Sequence, residues 1–252
     1  MLSSWNSRAL ITRLVVLIIL SLGITSKSSA MLEGTFLYFP SHDTGKSDLT
    51  NWVVDGQTIG YSRSSISSKK VWLVFHGNGG QASHRGYIAP CLPSTDSVYV
   101  MEYPGYGNRK GAPSMKSINA AAGAAYAALL REHPSSQIAV LSESLGSGPA
   151  AYVCSLENPP SRLVLIVPFD NLLSVAKEHL PFLPVSVLLR DKWDNVAALS
   201  HYTGRIDIYG AILDEVIPVA HARRLAHALP AAKYHDINCG HNDWPALVKI
   251  ED

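Results

Sequence analysis

Short apolar runs alternate with longer, helix-like segments along most of the chain. Each run is rich in aliphatic or aromatic residues and is bounded by glycine, proline or polar residues, a pattern typical of buried strands. The runs are KVWLVFH (70–76), DSVYVMEYPG (96–105), SQIAVLSES (136–144), SRLVLIVPF (161–169), RIDIYGAI (205–212) and AKYHDIN (232–238). Two earlier stretches, TFLYFP (35–40) and NWVVDGQTIGYSRS (51–64), also predict strands, the second as a hairpin around Asp55–Gly56.

Helices are predicted between the later strands. The stretch SMKSINAAAGAAYAALLREHP (114–134) is alanine-rich and ends at Pro134, whereas LGSGPAAYVCSLE (145–157) and VAHARRLAHALP (219–230) are shorter. Strands that alternate with helices predict an α/β fold, with a mainly parallel central sheet and helices on both faces. Right-handed crossovers then bring the carboxyl ends of the strands to one edge, where such sheets bind ligands.

The N-terminal segment 1–30 has the character of a targeting sequence. Arg8 and Arg13 precede the apolar run Leu14–Ile24, and small residues such as Ser28 and Ala30 follow it. This order is typical of a secretory signal peptide, and the run is short for a membrane span, which needs about 20 residues. We expect the segment to direct export, to the periplasm or out of the cell, or to anchor the chain in a membrane if it is not cleaved. Residues 31–252 then form one α/β domain.

The composition of the chain limits which partners, metal sites and disulfides can be expected. With 47% hydrophobic residues the chain of 252 residues can bury a substantial core, and a formal net charge of +1 argues against a nucleic acid as the partner. Ten histidines are scattered and no CxxC spacing occurs, so no metal site is predicted. Cys91, Cys154 and Cys239 allow at most one disulfide after export, and three buried free thiols are the alternative.

Polar or glycine-rich pieces follow five of the predicted strands. They are HGNGG (76–80), EYPGYG (102–107), SESLG (142–146), AILDEVIP (211–218) and CGHNDW (239–244). Because parallel strands end at the same edge of a sheet, these pieces are expected to converge there and to form the functional site.

The piece SESLG is similar to the Gly-x-Ser-x-Gly turn that presents a nucleophilic serine between a strand and a helix. Ser142 occupies the first glycine position, which a small side chain can do at modest steric cost. Ser144 is the predicted nucleophile, because a strand precedes it, a helix follows it and Gly146 stands two positions on. Ser142 then lies in the strand and Ser147 in the helix. The alternative is that Ser144 only caps the helix.

A nucleophilic serine requires a base and an orienting carboxylate. Asp214 and His241 follow the last two predicted strands, in the chain order serine, aspartate, histidine. The alternative acids are Glu215 and Asp170, and the alternative bases, each inside a predicted helix or strand, are His221, His227 and His235.

An oxyanion hole requires backbone N–H groups aimed at the developing negative charge. Leu145 is expected to supply one N–H from the start of the helix, and Asn78, or alternatively Gly79, is expected to supply another from HGNGG. His76 is expected to brace this loop by hydrogen bonds. EYPGYG is expected to form a wall of the site, with no substrate contact assigned to Tyr103 or Tyr106.

The motifs LVFHGNGG, EYPGYGNRKGAPS, SESLGSG, DEVIP and GHND, in this order, resemble the α/β-hydrolase superfamily. More narrowly they resemble the serine hydrolases of the Bem46-like and ABHD13/17-like group, over about residues 35–250. The resemblance implies an α/β-hydrolase fold, the triad Ser144, Asp214 and His241, and the oxyanion donors Asn78 and Leu145. The chain departs from the pattern at Ser142 and at the apolar pair Ile212–Leu213, which could shift the acid from Asp214 to Glu215.

The segment 169–204 lies where such folds insert a cap, and here it is short. HLPFLPVSVLL (179–189) is apolar and broken by prolines, which fits either an acyl-binding wall over Ser144 or an ordinary crossover helix. RDKWDN (190–195) is expected to begin the next helix.

Together these features predict a serine hydrolase that cleaves a carboxylic ester or thioester through an acyl-enzyme, without a metal or organic cofactor. The expected substrate is a small or lipid-like acyl compound. The alternative is a non-catalytic α/β-hydrolase-fold protein that binds a lipid or a protein partner.

Overall fold

A computed structural model of the protein describes residues 37–251, apart from residues 44, 66–67, 69 and 135–136. The predicted signal or anchor segment, residues 1–30, and the predicted start of the mature chain at Met31 lie outside the described residues. No helix among the described residues is long and apolar enough to cross a membrane.

The described strands and helices follow the predicted alternation, with most boundaries within a few residues. The strands are β1 (Phe39–Pro40), β2 (Thr50–Val54), β3 (Gln57–Arg63), β4 (Lys70–Phe75), β5 (Gly79–Gly80), β6 (Ser97–Met101), β7 (Gln137–Glu143), β8 (Arg162–Ile166), β9 (Arg205–Ala211) and β10 (Lys233–Ile237). The helices are α1 (Met115–Glu132), α2 (Ser147–Cys154), α3 (Leu172–His179), α4 (Val185–Leu188), α5 (Asn195–Leu199) and α6 (Ala220–Ala228), and short 3-10 helices span Ala82–Cys91, Ser144–Gly146 and Trp244–Ala246.

Eight of these strands form one sheet in the order β10-β9-β8-β7-β4-β6-β3-β2. The six strands from β10 to β6 are parallel, and β3 and β2 continue the sheet as an antiparallel hairpin. The hairpin turns at Asp55 and Gly56, which both have positive φ, 50° and 75°. The predicted α/β fold with a mainly parallel sheet is confirmed.

Two apolar layers cover the sheet. Along β4, Val71, Leu73 and Phe75 face one layer while Trp72 and Val74 face the other, as the alternation of side chains in a strand requires. The first layer is completed by helices α1, α2, α5 and α6, and the second by the 3-10 helix Ala82–Cys91 and the C-terminal residues near Trp244. Each fully buried aliphatic side chain in these layers stabilises the fold by about 1.5–3 kcal/mol.

The cysteines are free thiols. Cys91, Cys154 and Cys239 are all buried and none forms a disulfide. Cys91 and Cys239 belong to one apolar layer and Cys154 to the other. Of the two possibilities that the sequence left open, the structure therefore shows three buried free thiols.

The first part of the segment 169–204 is called the cap segment. It consists of two short helices, α3 and α4, with a proline-containing turn between them. Leu180 and Val185 are buried against the domain, whereas Phe182 is 97% exposed and Val187 is 79% exposed. The segment is thus not a single crossover helix. The next helix begins later than predicted, at Asn195, because the Asp194 side chain caps it by accepting from the Ala197 N–H.

Helix α2 starts very close to the neighbouring strand β4. A Cβ atom on Gly146 would lie 2.2 Å from the carbonyl oxygen of Phe75, and one on Gly148 would lie 2.6 Å from the ring of Trp193. Glycine at these positions lets the chain turn from β7 into α2 without displacing β4 or the ring of Trp193.

We expect Gly146→Ala to destabilise the protein by about 1–3 kcal/mol, because the new methyl group overlaps backbone that cannot move independently. Urea unfolding measures the effect. Gly123→Ala is the matched control, since its Cβ would lie 3.6 Å from Tyr152 in ordinary contact and alanine favours the interior of α1. Equal stability of the two variants would contradict this explanation of the turn.

Candidate active site

Ser144 occupies a strained turn between β7 and α2. Its φ is +53°, in the left-handed region that residues other than glycine rarely adopt. Strand β7 ends at Glu143, and the 3-10 helix Ser144–Gly146 leads directly into α2. Because the chain reverses over so few residues, the Ser144 side chain projects from the carboxyl edge of the sheet, as in a nucleophile turn. The alternative role of Ser144 as a helix cap is wrong, since no side chain caps either helix here.

The other two serines of this motif lie where the sequence places them. Ser142 is in β7, fully buried beside its ladder partner Phe75, and its hydroxyl has no hydrogen-bond partner among the described residues. Ser147 is in α2, where its hydroxyl accepts from the side-chain amide of Asn195 at 3.0 Å. Ser142 therefore takes the first glycine position of the motif, and the turn that presents Ser144 still forms.

His241 forms hydrogen bonds to both Ser144 and Asp214. Its Nε2 lies 2.9 Å from Ser144 Oγ, and its Nδ1 lies 2.7 Å from Asp214 Oδ2. The second oxygen of Asp214 accepts from the backbone N–H groups of Val216 and Ile217, each at 2.8 Å. The side chain of Asp214 is 1% exposed and that of His241 is 11% exposed. The three predicted residues thus form one continuous hydrogen-bonded row.

This row selects one imidazole tautomer. A carboxylate can only accept, so Nδ1 of His241 carries the proton that it shares with Asp214. In the neutral ring, Nε2 then carries a lone pair directed at the Ser144 hydroxyl. An imidazole in this state can take a proton from serine as the serine attacks a carbon atom.

Strands β9 and β10 position Asp214 and His241 relative to each other. The strands are parallel neighbours, and their pairing continues past their ends through a hydrogen bond from the Leu213 N–H to the Cys239 carbonyl (3.0 Å). The loops that carry Asp214 and His241 are therefore joined by backbone hydrogen bonds. Despite the apolar pair Ile212–Leu213, Asp214 is the carboxylate that contacts His241, whereas Glu215 is exposed.

The other acid considered, Asp170, belongs to a separate cluster. Its carboxylate accepts from His221 Nδ1 (2.5 Å) and from Arg224 Nε (2.7 Å). Burial by itself would raise the pKa of Asp170, but these two hydrogen bonds outweigh burial and lower the pKa to about 2. His221 is fully buried in α6, as expected for a packing residue; His227 lies in the same helix, and His235 lies in β10, stacked on Tyr209.

The loop from His76 to Gly80 lies beside Ser144. A Cβ atom on Gly77 would be 3.6 Å from Ser144 Cβ. The Asn78 side chain holds the loop in place, since its Oδ1 accepts from Phe39 N–H (3.2 Å) and Tyr106 OH (2.8 Å) and its Nδ2 donates to the Leu37 carbonyl. The backbone N–H of Asn78 donates to none of the described residues. The N–H of Leu145 lies in the first turn of a 3-10 helix, where backbone donors have no partner within the helix.

The side chains of His76 and of Tyr103, which belongs to EYPGYG, hold this loop in place. His76 Nδ1 donates to the Gly77 carbonyl at 2.7 Å, and the ring stacks on Tyr103 at 4.0 Å. Tyr103 donates to the His76 carbonyl at 2.6 Å. Tyr103 and Tyr106 are fully buried, so they support the loop and do not line the exposed face of the site.

Sequence reasoning missed three side chains next to the site. Glu143 precedes Ser144 and is buried, and its carboxylate contacts Tyr87 and Arg85 from the 3-10 helix Ala82–Cys91. A signal was available for Glu143, because a charged residue at the end of an apolar strand is unusual. Nothing in the sequence places Arg85 or Tyr87 there.

Several known proteins are similar to this chain in sequence or in structure. No family model matches the chain. The uncharacterized protein Rv2307c of Mycobacterium tuberculosis is 31% identical over 202 residues, which are 77% of this chain and 71% of that protein. An esterase of Pyrococcus furiosus has the same fold, with a TM-score of 0.63 at 13% identity over 83% of this chain and 94% of that chain. The chain has the α/β-hydrolase fold, and its similarity to these proteins supports a place in the α/β-hydrolase superfamily.

Within the α/β-hydrolase superfamily, curated relatives include lysophosphatidylserine lipase ABHD12. The Macaca fascicularis protein is 27% identical over 201 residues, which are 70% of this chain and 50% of the relative. The chain therefore spans about half the length of ABHD12. An alpha-beta hydrolase of Vibrio vulnificus shares the fold, with a TM-score of 0.62 at 19% identity over 75% of this chain and 72% of that chain. Assignment to the narrower Bem46-like and ABHD13/17-like group stays a prediction.

We expect Asp170→Asn to lower the free energy of unfolding by about 2 kcal/mol at neutral pH. The pKa of Asp170 is about 2 in the folded protein and roughly 3.9 in an unfolded chain. Its contribution is therefore complete above about pH 4 and is lost as the pH falls toward 2. Urea unfolding of parent and variant between pH 7 and pH 2.5 measures the difference. Glu215→Gln, at an exposed carboxylate, is the control, and a difference for Asp170→Asn that does not shrink in acid would contradict the assignment.

Proposed function

We propose that this α/β-hydrolase is a serine hydrolase that cleaves carboxylic esters or thioesters through an acyl-enzyme. The observation that carries the proposal is the continuous row from Asp214 through His241 to Ser144, with contacts of 2.7 Å and 2.9 Å. Ser144 is the nucleophile, His241 the base and Asp214 the residue that orients the base. The positive φ of Ser144 supports this role, because such strain concentrates at functional turns.

Each proton in the proposed reaction has a defined donor and acceptor. Ser144 Oγ attacks the carbonyl carbon while its proton passes to His241 Nε2. The carbonyl oxygen becomes an oxyanion that the backbone N–H groups of Asn78 and Leu145 stabilise. Collapse expels the alcohol or thiol, which takes the proton from His241. Water then gives a proton to His241, attacks the acyl group and releases the acid, and the proton returns to Ser144. No step requires a metal or organic cofactor.

The proposed substrate is a small or lipid-like acyl compound. Apolar side chains stand exposed next to the acid and on the cap segment; they include Ile212, Leu213, Phe182 and Val187. An exposed apolar surface beside a nucleophile suits an acyl chain better than a charged group. The lipase name of the ABHD12 relatives and the esterase name of the Pyrococcus furiosus structure support the same substrate class.

The N-terminal segment bears on where the reaction takes place. We propose that residues 1–30 export the enzyme or tether it to a membrane. The mass of the chain recovered after expression in an exporting host distinguishes these outcomes, since removal of the segment leaves a chain that starts near Met31.

A fluorophosphonate probe is expected to label the parent protein at Ser144, and Ser144→Ala is expected to take up no label. The probe reports an activated serine, because only a deprotonating base makes the hydroxyl reactive. Ser155→Ala, at an exposed serine after α2, is the control and is expected to label like the parent. Absence of label in the folded parent would favour the alternative function, a non-catalytic binding protein.

Ester turnover is expected to fall in acid, because His241 can accept a proton only in its neutral form. His241→Ala is expected to reduce kcat/KM for a p-nitrophenyl ester by about 10²–10⁴-fold and to remove the acid limb of the pH profile. Asp214→Asn is expected to lose activity also, whereas Asp170→Asn is expected to retain it. Undiminished turnover by His241→Ala would eliminate the proposed base.

A further inference from the structure

Glu143 is a buried carboxylate that the proposed reaction does not use. It is 6% exposed and immediately precedes Ser144 in the chain. Its Oε1 accepts from the backbone N–H of Gly77 at 2.9 Å, and both of its oxygens accept from Tyr87 OH, at 2.9 Å and 2.8 Å. Nε of Arg85 lies 3.3 Å from Oε1. The carboxylate therefore joins the end of β7 to the loop that carries Asn78.

Hydrogen bonds hold two successive peptide groups of that loop, the first on both sides and the second through its carbonyl only. In the first, between His76 and Gly77, the N–H donates to Glu143 and the carbonyl accepts from Tyr103 OH. In the second, between Gly77 and Asn78, the carbonyl accepts from His76 Nδ1. The N–H and C=O of a trans peptide point in opposite directions, so the Asn78 N–H points away from His76 and is left without a partner among the described residues.

The charge of Glu143 is balanced locally. Burial by itself would raise the pKa of Glu143, but Arg85, the Gly77 N–H and Tyr87 outweigh burial and lower the pKa below its usual value. Arg85 Nη2 also donates to the Gly79 carbonyl, so the same guanidinium binds the loop two residues beyond Gly77. A buried charge with so many partners is costly to disturb, which makes the group a firm attachment point.

We propose that Glu143 is a positioning residue for the oxyanion hole: its carboxylate holds Gly77 and thereby aims the Asn78 N–H at the space above Ser144. The proposal rests on the proposed serine-hydrolase function. Glu143 touches neither the substrate nor the reacting atoms, and it acts through the backbone of the loop. Its loss is therefore expected to weaken stabilisation of the transition state and to leave binding of the ground state nearly unchanged.

The test compares Glu143→Leu and Glu143→Gln in the full chain. Leucine removes the acceptor, so kcat for a p-nitrophenyl ester is expected to fall about 10- to 100-fold, with KM within about threefold of the parent. Glutamine keeps an oxygen that can accept from Gly77, so kcat is expected to fall less than tenfold. Recovery by glutamine separates a role in positioning from a general requirement for a charged residue.

Asp170→Asn is the matched control, since Asp170 is also buried and bound to a histidine and an arginine but lies in another cluster. It is expected to lower stability and to leave kcat unchanged. Equal loss of kcat in Asp170→Asn and Glu143→Leu, or a rise in KM without a fall in kcat, would overturn the proposal.

Hydrogen exchange measured by mass spectrometry provides a readout that does not depend on catalysis. Peptides that cover residues 76–82 are expected to exchange faster in Glu143→Leu than in the parent and to change less in Glu143→Gln, while peptides that cover α1 are unchanged in both variants. If the parent hydrolyses no ester, the proposed function fails, but the exchange data still decide whether Glu143 holds the loop. Unchanged exchange at residues 76–82 in folded Glu143→Leu overturns the proposal on its own.

Discussion

The left-handed conformation of Ser144 is the constraint on which the candidate site depends. Strand β7 and helix α2 must meet within a few residues, and the helix must pass the carbonyl oxygen of Phe75 with no room for a Cβ at Gly146. Strand β7 lies in the middle of the central sheet and α2 packs against that sheet, and this packing supports the strained turn. The same turn raises the Ser144 hydroxyl above the edge of the sheet and leaves the Leu145 N–H at the start of a helix. The proposed nucleophile and one of the proposed oxyanion donors therefore have one structural origin.

Two buried carboxylates near this turn are those of Glu143 and Glu102, and each has hydrogen-bond partners. Glu143 holds Gly77 near the start of the loop, while Glu102 accepts from the Ala82 N–H two residues beyond the end of the loop and lies 3.4 Å from His76 Nε2. The two carboxylates thus bind the chain on either side of the loop, and each has a cationic or polar group beside it. Burial of a carboxylate without such partners would cost several kcal/mol. This arrangement supports the proposed role of the Asn78 N–H, because it holds a loop that is rich in glycine in one conformation.

The third part of the site, the acid and base loops, depends on the sheet in a different way. Pairing of β9 with β10 continues past the strand ends, so Asp214 and His241 are held by backbone hydrogen bonds as well as by their own contact. The cap segment is linked to the acid loop through His179, whose Nε2 lies 2.8 Å from the Val216 carbonyl.

The sequence by itself determined the order of strands and helices, the parallel character of the sheet and the identity of Ser144, Asp214, His241 and Asn78 as candidates. These follow from short-range patterns: apolar periodicity, glycine at turns, and the rule that parallel strands end at one edge. Tertiary structure decided what depends on contacts between distant segments. It placed Asp214, and neither Asp170 nor Glu215, in contact with His241, and it left the three cysteines as free thiols. It also brought Arg85 and Tyr87 to Glu143, which lies 56 or more positions away along the chain. No local pattern encodes such pairings, because the partner of a buried charge is set by how the layers pack.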